Sequence, residues 1–285
     1  MQNIRLAFPE DFNITFKVTQ TQKDAILFAQ NSVIENSDYI IAVGGDGTLH
    51  EVINGIMNSP LNRRKHIIAG ILPTGSGNDF ARTLKIKSDI NSLIKSLTNN
   101  EHILVDIGKI SLNNSDGAKT IKYFINIAEI GLGAEVVKIV NSGSKKLNPT
   151  LNFFVASIKS FLTYKKKKIR VTSENFNYEG NVLVMCFANG KYFGSGLQIA
   201  PHAIVNDGKL AVFLAGNVGL LDYLKNLSKI RKGSLINHPN IHYAELSSCL
   251  VEKVDDGLLI EADGELLGKL PAYFEILKSE LKFLV

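Results

Sequence analysis

Two glycine-rich segments hold the residues whose types and spacing are best suited to chemistry in this 285-residue chain. Residues 44–48 read Gly-Gly-Asp-Gly-Thr, and residues 73–79 read Pro-Thr-Gly-Ser-Gly-Asn-Asp. Each segment follows a short apolar run and precedes a run with helical spacing. Glycine lets the backbone approach a phosphate closely, and a helix N-terminus offers free N–H donors with partial positive charge. Two such loops at the carboxyl ends of parallel strands favour a phosphate cradle over a pair of tight turns.

The two loops differ from the common nucleotide-binding motifs. Neither contains the Gly-Lys-Ser/Thr of a P-loop, and neither has the G-x-G-x-x-G spacing of a dinucleotide fold. Asp46 and Asp79 lie where a metal-bound polyphosphate would sit, and Mg²⁺ prefers one or two carboxylates together with phosphate oxygens. A turn role for Asp46 and a first-turn helix role for Asp79 are equally compatible with the sequence.

The surrounding pattern predicts how the loops are held. Apolar runs at residues 39–43 and 67–72 are typical of buried strands, and helical spacing covers residues 23–36. Residues 14–18 alternate like a further strand. This alternation of strands and helices predicts an α/β domain over residues 1–107, with a parallel sheet covered by helices.

A second, β-rich domain is predicted over residues 108–285. Hairpin-type turns such as Asn206-Asp207-Gly208 and Asp263-Gly264 separate its strand-like runs, as in a mostly antiparallel sandwich or barrel. Helical spacing interrupts it at 152–164 and 220–230. By spacing alone, Asp207 and Glu265 belong to plain turns. The strand-like runs are 109–112, 121–128, 168–173, 182–187, 209–214, 258–262 and 274–277.

The composition limits the class of protein. With 45% hydrophobic and 21% charged residues, the chain is typical of folded globular proteins. Its net charge of +5 favours anionic partners, but no zinc-finger or RNP-like pattern is present, so no nucleic acid is predicted. No apolar run reaches the roughly 18 residues of a membrane span, and no secretory signal is visible. Cys186 and Cys249 lie in apolar surroundings, which indicates buried free thiols and a cytoplasmic protein.

Six segments, taken together and in order, resemble the diacylglycerol kinase catalytic-domain superfamily. This superfamily includes bacterial lipid kinases, eukaryotic diacylglycerol kinases, and sphingosine and ceramide kinases. The first motif alone is shared with NAD kinases. The matching segments are 44–55, 73–81, 130–134, 188–196 with 200–203, 206–210 and 263–265.

The resemblance implies an NAD-kinase-like α/β nucleotide domain, a β-rich sandwich-like second domain and an active site between them. Glu265 takes the place of the carboxylate that accepts the proton of the acceptor hydroxyl. Asp207, with the backbone carbonyls of Ile204 and Lys209, resembles the family's Mg²⁺ site. The residues implied to hold ATP are Thr19, Gly44, Gly45, Asp46, Gly47, Thr48, Leu49, His50, Gly75, Ser76, Asn78 and Asp79.

The implied activity is ATP-dependent phosphoryl transfer to a lipid hydroxyl, with diacylglycerol or a related neutral lipid as acceptor. Phosphoryl transfer asks the protein mainly for positioning, charge neutralisation and orientation of the nucleophile. Two alternatives stay open: an NAD kinase, and a catalytically impaired nucleotide- or lipid-binding protein. The second alternative rests on the expectation that the chain starts inside the first helix, at residues 4–6, and lacks the family's first strand.

The implied lipid acceptor also predicts a membrane partner. Residues 152–164 have an apolar helical face and are followed by four lysines at 165–168, so this helix could dock on an anionic membrane surface. The alternative is a helix packed on the second domain with solvated lysines. The chain is therefore expected to associate peripherally with membranes, without a transmembrane segment, and a homodimer is possible.

Overall fold

The computed structural model of the protein describes residues 5, 7–10, 12–113, 119–142 and 149–285. Its helices are α1 (Asp24–Ile34), α2 (Asp46–Met57), α3 (Leu61–Arg64), α4 (Asp79–Leu84), α5 (Ile90–Asn99), α6 (Leu132–Ser142), α7 (Pro149–Thr163) and α8 (Leu220–Arg231). Its strands are β1 (Tyr39–Gly44), β2 (Ile68–Pro73), β3 (His102–Asn113), β4 (Lys119–Phe124), β5 (Ile127–Gly131), β6 (Lys167–Thr172), β7 (Tyr178–Val182), β8 (Val184–Ala188), β9 (Leu210–Ala215), β10 (Ile241–Leu246), β11 (Ser248–Lys253), β12 (Leu259–Ala262), β13 (Glu265–Lys269) and β14 (Ala272–Leu284).

The N-terminal part is a small parallel sheet with helices on both faces. β1 and β2 run parallel and both end at a glycine loop, while the end of β14 adds a third parallel strand, with Phe283 beside Ala69. Helices α1, α2 and α4 share one apolar core, which includes Leu49 and Phe80. Helix α5 covers the other face through Leu97. The predicted α/β architecture is confirmed, with one strand supplied from the far end of the chain.

A β-sandwich makes up most of the remaining chain. Its first layer is the antiparallel region of the eight-stranded sheet, formed by β4, β3, β14, β11, β6 and β7, and its second is a six-stranded sheet with the order β10-β9-β8-β5-β12-β13. Between the layers the rings of Phe187 and Phe274 stack with their centroids 4.1 Å apart. The predicted sandwich-like second domain is confirmed. Because β3 runs through residue 107, the division of the chain at that residue stays a prediction.

Three helices form a further layer on the outer face of the six-stranded sheet. α6, α7 and α8 pack there around a third apolar cluster, in which the rings of Phe161 and Tyr223 stack at 4.9 Å. The helices predicted at 152–164 and 220–230 correspond to α7 and α8. Between these helices and the sheet lies an apolar cavity.

The strand predicted over residues 14–18 is not formed. This segment has no helical or strand structure, and Val18 is 57% exposed. Alternation makes a strand only where a neighbour can pair with it, and no described strand pairs with this segment. The start expected at residues 4–6 falls largely outside the described residues, because only Arg5 of the three is described.

The run predicted as one strand at residues 121–128 consists of two strands, β4 and β5. The Asp263 carboxylate accepts the N–H groups of Ile125, Asn126 and Ile127 at 3.0, 3.1 and 3.1 Å. Because the N–H groups of Ile125 and Asn126 donate to this side chain, they are not available for hydrogen bonds to a neighbouring strand. The strand is therefore interrupted at these two residues. The break also moves the chain from the eight-stranded sheet to the six-stranded one.

The run predicted at residues 182–187 also divides between the two sheets. Val182 pairs with Lys167 in one sheet, and Val184 pairs with Ala215 in the other. Leu183 lies between them and donates its N–H to the Ala215 carbonyl at 2.8 Å. A single apolar run therefore serves both layers of the sandwich.

Candidate active site

The two glycine loops meet at the carboxyl ends of β1 and β2. The N–H groups of Thr74 and Gly75 donate to the Gly44 carbonyl at 2.9 and 3.2 Å. A Cβ added at Gly75 would overlap the Cα of Gly45, so no larger residue fits where the loops cross. The predicted juxtaposition of the loops is thus present in the structure.

Asp46 joins the first loop to the helix that follows the second. Its Oδ1 accepts the N–H groups of Asp79 and Phe80 at 2.9 and 3.3 Å, which satisfies donors at the N-terminus of α4. Burial raises the pKa of Asp46, these backbone N–H donors lower it, and the nearby Asp263 carboxylate raises it further. Asp46 is therefore both a helix cap and a partly buried carboxylate at the first loop.

Asp79 turns its carboxylate towards the C-terminal part of the chain. Its Oδ2 accepts the N–H of Ser195 at 2.9 Å, while the Nε of Arg82 lies 3.9 Å from its Oδ1. Burial, followed by the charge of Asp46, raises the pKa of Asp79 to about 6. Oδ1 is buried and accepts no hydrogen bond from any described residue.

His50 connects helix α2 to the turn between β12 and β13. Its Nδ1 lies 3.1 Å from Oδ2 of Asp263, and its Nε2 lies 3.3 Å from Nδ2 of Asn54. The side chain of Leu49 is fully buried, and its N–H donates to the Gly45 carbonyl at 3.1 Å. The side chains of Leu49 and His50 and the Leu49 N–H are thus engaged within the protein. That these two residues hold phosphates stays a prediction.

The other predicted loop residues lie around the crossing. Thr48 packs its side chain against Gly44, and the Nδ2 of Asn78 donates to the Gly75 carbonyl at 2.7 Å. Ser76 is exposed at the tip of the second loop. Thr19 is also exposed but lies in the irregular segment, so its predicted place at the end of a strand is wrong.

Glu265 begins β13, two residues after the Asp263 turn. It is partly buried and makes no ion pair or side-chain hydrogen bond to any residue that the structure describes. His50 contacts Asp263, and the Asp263 charge raises the pKa of Asp46, so the turn that precedes Glu265 lies against α2 beside the first glycine loop. Its position is compatible with a carboxylate that is left free for a substrate.

The predicted metal residues share one turn before β9. Oδ1 of Asp207 accepts the Lys209 N–H at 2.9 Å, and Ile204 is exposed at the start of the turn. Asp106 lies beneath, fully buried, and its Oδ2 accepts the Gly208 N–H at 2.6 Å. Its Oδ1 accepts the Ser279 N–H at 2.6 Å, so one carboxylate anchors both the turn and the bulge of β14.

Asp106 and Asp263 were missed by the sequence predictions. Asp106 is the one acidic residue in the apolar run Ile103-Leu-Val-Asp-Ile107, and a lone carboxylate in a buried strand is a usable signal. Asp263 is predicted only as part of a turn and of the last matching motif, with no role of its own, whereas its φ of 50° and its four partners make it the central contact of this region.

The cradle fits a phosphate by its donors and its free space. The first N–H groups of α2 have no partner within the helix, and a Cβ at Gly47 would meet nothing within 4 Å. A donor set of one carboxylate and backbone carbonyls, as at Asp207, suits Mg²⁺ chemically. Within the described ranges, no three His, Cys, Asp or Glu side chains cluster as metal ligands.

The apolar cavity lies on the outer face of the six-stranded sheet, and one buried carboxylate, that of Glu129, is part of its lining. It lies between the six-stranded sheet and helices α6 to α8, is lined mainly by apolar side chains, and is partly open to solvent. Glu129 lines it, accepts a hydrogen bond from the Cys186 thiol at 3.1 Å, and is hydrogen-bonded to Glu261 on the neighbouring strand. Burial raises the pKa of both carboxyl groups, that of Glu261 well above its ordinary 4.5.

Replacing Glu261 by glutamine is expected to stabilise the protein at pH 8. The folded protein keeps Glu261 protonated at pH values where the unfolded chain has lost that proton. The contribution of Glu261 to the free energy of unfolding is therefore complete below about pH 4.5, and it is lost as the pH rises towards the raised pKa of the folded state. An amide can still accept the Gly264 N–H, now at 2.9 Å, and can donate to Glu129. We expect Tm at pH 8 to rise by ~2–4 °C or more, equivalent to ~1 kcal/mol.

Melting curves between pH 5 and 8, measured on parent and variant, test this prediction. Glu174→Gln is the matched control, because Glu174 is exposed. A parent stability that rises with pH over this range, or a variant that melts no higher at pH 8, would contradict the expectation.

The arrangement defines a class of two-part proteins in which a glycine-loop cradle faces a β-sandwich. The family description "Diacylglycerol kinase catalytic domain" matches residues 3–110, and "YegS C-terminal NAD kinase beta sandwich-like domain" matches residues 126–285. A protein named diacylglycerol kinase from Staphylococcus saprophyticus is 31% identical over 274 residues, covering 95% of this chain and 84% of that protein. One from Staphylococcus haemolyticus is 30% identical, covering 93% and 76%. The chain belongs to the diacylglycerol kinase family.

A solved structure agrees with this fold. The crystal structure of a diacylglycerol kinase from Bacillus anthracis superposes with a TM-score of 0.66 at 22% identity, over 93% of this chain and 82% of that one. At this identity the likeness concerns the fold alone. In the described part of the chain, no helix combines the length and the apolar character that crossing a membrane requires. The family supports the coarse prediction of a kinase.

Proposed function

We propose that this protein transfers the γ-phosphoryl group of ATP to the hydroxyl group of diacylglycerol or a related neutral lipid. The observation that carries the proposal is the crossing of two glycine loops beside the turn that bears Glu265, next to an apolar cavity. A phosphate cradle, a free carboxylate and an apolar site are what phosphoryl transfer to a lipid requires. The curated relatives' name points to the same acceptor.

The chain's own residues divide the work between the two parts. The first turn of α2 and the glycine loops offer N–H donors to the phosphates, and Asp46 holds the two loops together. Glu265 orients the acceptor hydroxyl and takes its proton as the new phosphate ester forms. Asp207 with the Ile204 and Lys209 carbonyls would hold Mg²⁺, which would supply positive charge, and bound ATP would supply the phosphoryl group.

Transfer of labelled γ-phosphate to a total lipid extract, with identification of the product, tests the proposal. Labelled phosphatidic acid is the expected product, and it should require added Mg²⁺. Label on NAD would instead identify an NAD kinase. Binding of ATP without transfer to any lipid would identify a catalytically impaired binding protein. Division into two domains at residue 107 and a homodimer remain part of the proposal, and expression of 108–285 alone and light scattering test them.

A peripheral contact with an anionic membrane is supported by the outer faces of α7 and α8. Leu162 and Leu221 are 73% and 71% exposed there, and Leu235 beyond α8 is 60% exposed. The inner faces of the same helices line the cavity. Exposed lysines at 165 and 166 follow α7, so apolar and basic groups surround the helices that cover the cavity.

Changing Leu162 and Leu221 together to serine is expected to weaken binding to anionic vesicles about a hundredfold or more, since each buried leucine contributes ~1.5–3 kcal/mol. Sedimentation with phosphatidylglycerol–phosphatidylcholine vesicles measures the effect. Ile121→Ser with Leu250→Ser is the matched control, because these residues are 44% and 38% exposed on the sandwich. An equal loss in the control would place the contact elsewhere, and weaker binding at high salt is expected for the parent.

A further inference from the structure

Residues 191–197 form a loop that approaches the second glycine loop on one side and lines the apolar cavity on the other. We call this segment the bridging loop. Three consecutive residues at its tip, Gly194, Ser195 and Gly196, have φ values of 56°, 67° and 103°. Its ends are clamped together, because Phe193 and Leu197 exchange two N–H···O bonds of 2.9 Å. These two bonds fix the ends of the loop relative to each other.

The bridging loop is held by one face of helix α4. Oδ2 of Asp79 accepts the Ser195 N–H at 2.9 Å, and the Gly196 N–H also points to this carboxylate. One turn along α4, Oγ1 of Thr83 accepts the Lys191 N–H at 3.0 Å. Consecutive N–H groups aimed at one carboxylate form an anion-binding concavity, here filled by a protein side chain.

The opposite side of the bridging loop is part of the cavity wall. Phe193 and Leu197 both line the cavity, beside Ile199. Ser195, which lies between them in sequence, approaches the second glycine loop, since a Cβ built on Gly77 would lie 3.7 Å from the Ser195 Oγ. The loop therefore spans the space between the phosphate cradle and the apolar site.

We propose that Asp79 is a positioning residue for the lipid acceptor, because it seats the bridging loop and thereby fixes the cavity wall relative to the cradle. This inference rests on the proposed function and assigns Asp79 a second partner besides the nucleotide. The carboxylate that is predicted to lie beside a polyphosphate directs one of its two oxygens to the Ser195 N–H. Displacement of the bridging loop would shift the acceptor relative to the phosphate, and small misplacements of a reacting group cost large factors in rate.

Two substitutions at Asp79 separate this role from a nucleotide or metal role. Asp79→Ala removes the acceptor of the Ser195 N–H, whereas Asp79→Asn keeps an oxygen acceptor and removes the charge. Thr83→Val disturbs the same loop without changing Asp79. Lys87→Ala, at an exposed position beyond α4, is the control.

Three measurements on each full-length variant test the inference. Binding of Nile red, a neutral apolar dye, reports on the cavity. Trypsin cleavage after Lys191 reports on the seating of the loop. Steady-state kinetics with dioctanoylglycerol and ATP separate the two KM values. For Asp79→Ala we expect roughly tenfold weaker dye binding, faster cleavage and a raised KM for dioctanoylglycerol, about the effect of one lost charge-assisted hydrogen bond.

The expected pattern also includes a partial effect of Thr83→Val and near-parental dye binding for Asp79→Asn. Parental dye binding and cleavage in Asp79→Ala, or equal losses in its Asn counterpart, would overturn the inference. If Asp79→Ala fails to fold, Thr83→Val decides, and parental behaviour of that variant refutes the role. If the parent transfers no phosphate, the proposed function fails, while dye binding and cleavage still decide whether Asp79 shapes the cavity.

Discussion

Asp46→Ala is expected to lower kcat by about 10²–10³ or more, the usual cost of removing one preorganised electrostatic group. The change removes a partly buried carboxylate beside the cradle, which is also the acceptor of the Asp79 and Phe80 N–H groups. Loss of the acceptor leaves buried donors unpaired and costs ~1–3 kcal/mol, so Tm should fall as well. Kinetics with ATP and dioctanoylglycerol, together with a melting curve, measure both effects.

Asp46→Asn distinguishes the two contributions. The amide oxygen can still accept the backbone N–H groups, so stability should be close to that of the parent while kcat stays low. Asp89→Asn is the control, because Asp89 also caps a helix, accepting the Ser92 N–H at 2.9 Å, but is an exposed residue at the start of α5. Full activity in a folded Asp46→Asn variant would reduce Asp46 to a helix cap.

Glu265→Gln is expected to lower kcat by about 10²–10⁴, the usual contribution of a positioned general base. The amide has the same shape but cannot accept the proton of the acceptor hydroxyl. Since Glu265 makes no side-chain hydrogen bond to the described residues, its replacement should leave the melting temperature unchanged. Isothermal titration with ATP should show parental affinity.

The contrasting outcomes for Glu265→Gln are separable by steady-state kinetics. A raised KM for the lipid with unchanged kcat would make Glu265 a recognition residue, because that pattern reports loss of uniform binding. If the Glu265→Gln variant does not fold, Glu265 would have only a structural role in the turn. Glu252→Gln, on β11 of the other sheet, provides a matched carboxylate substitution.

The glycine loops were predictable because their signal is local. Strand, glycine loop and helix follow one another within about ten residues, so the sequence predicts where each loop lies in the sheet. The crossing of the two loops at Gly45 and Gly75 follows from the parallel pairing of β1 and β2. Apolar periodicity likewise predicted most helices and strands, because both depend on short-range spacing.

The contacts that join the two parts could not be predicted in the same way. Asp263 binds N–H groups at Ile125 and Asn126 and faces His50, and the sequence has no pattern that links such distant positions. The same holds for Asp79 and the Ser195 N–H. For residues 14–18 the local pattern predicts a strand that the structure does not form. Their alternation is strand-like, but a strand also needs a neighbouring strand to pair with, and no described strand pairs with this segment.

The pairing of β14 with β2 has a consequence for biosynthesis. The ribosome delivers Lys282 and Phe283 long after β2, so the glycine loops emerge before the strand that completes their sheet. Until then Phe80, at the start of α4, lacks the Phe283 ring that packs against it at 5.3 Å. The nucleotide-binding part should therefore mature last rather than first during translation, and a nascent chain released before β14 would expose an unpaired β2 edge to aggregation.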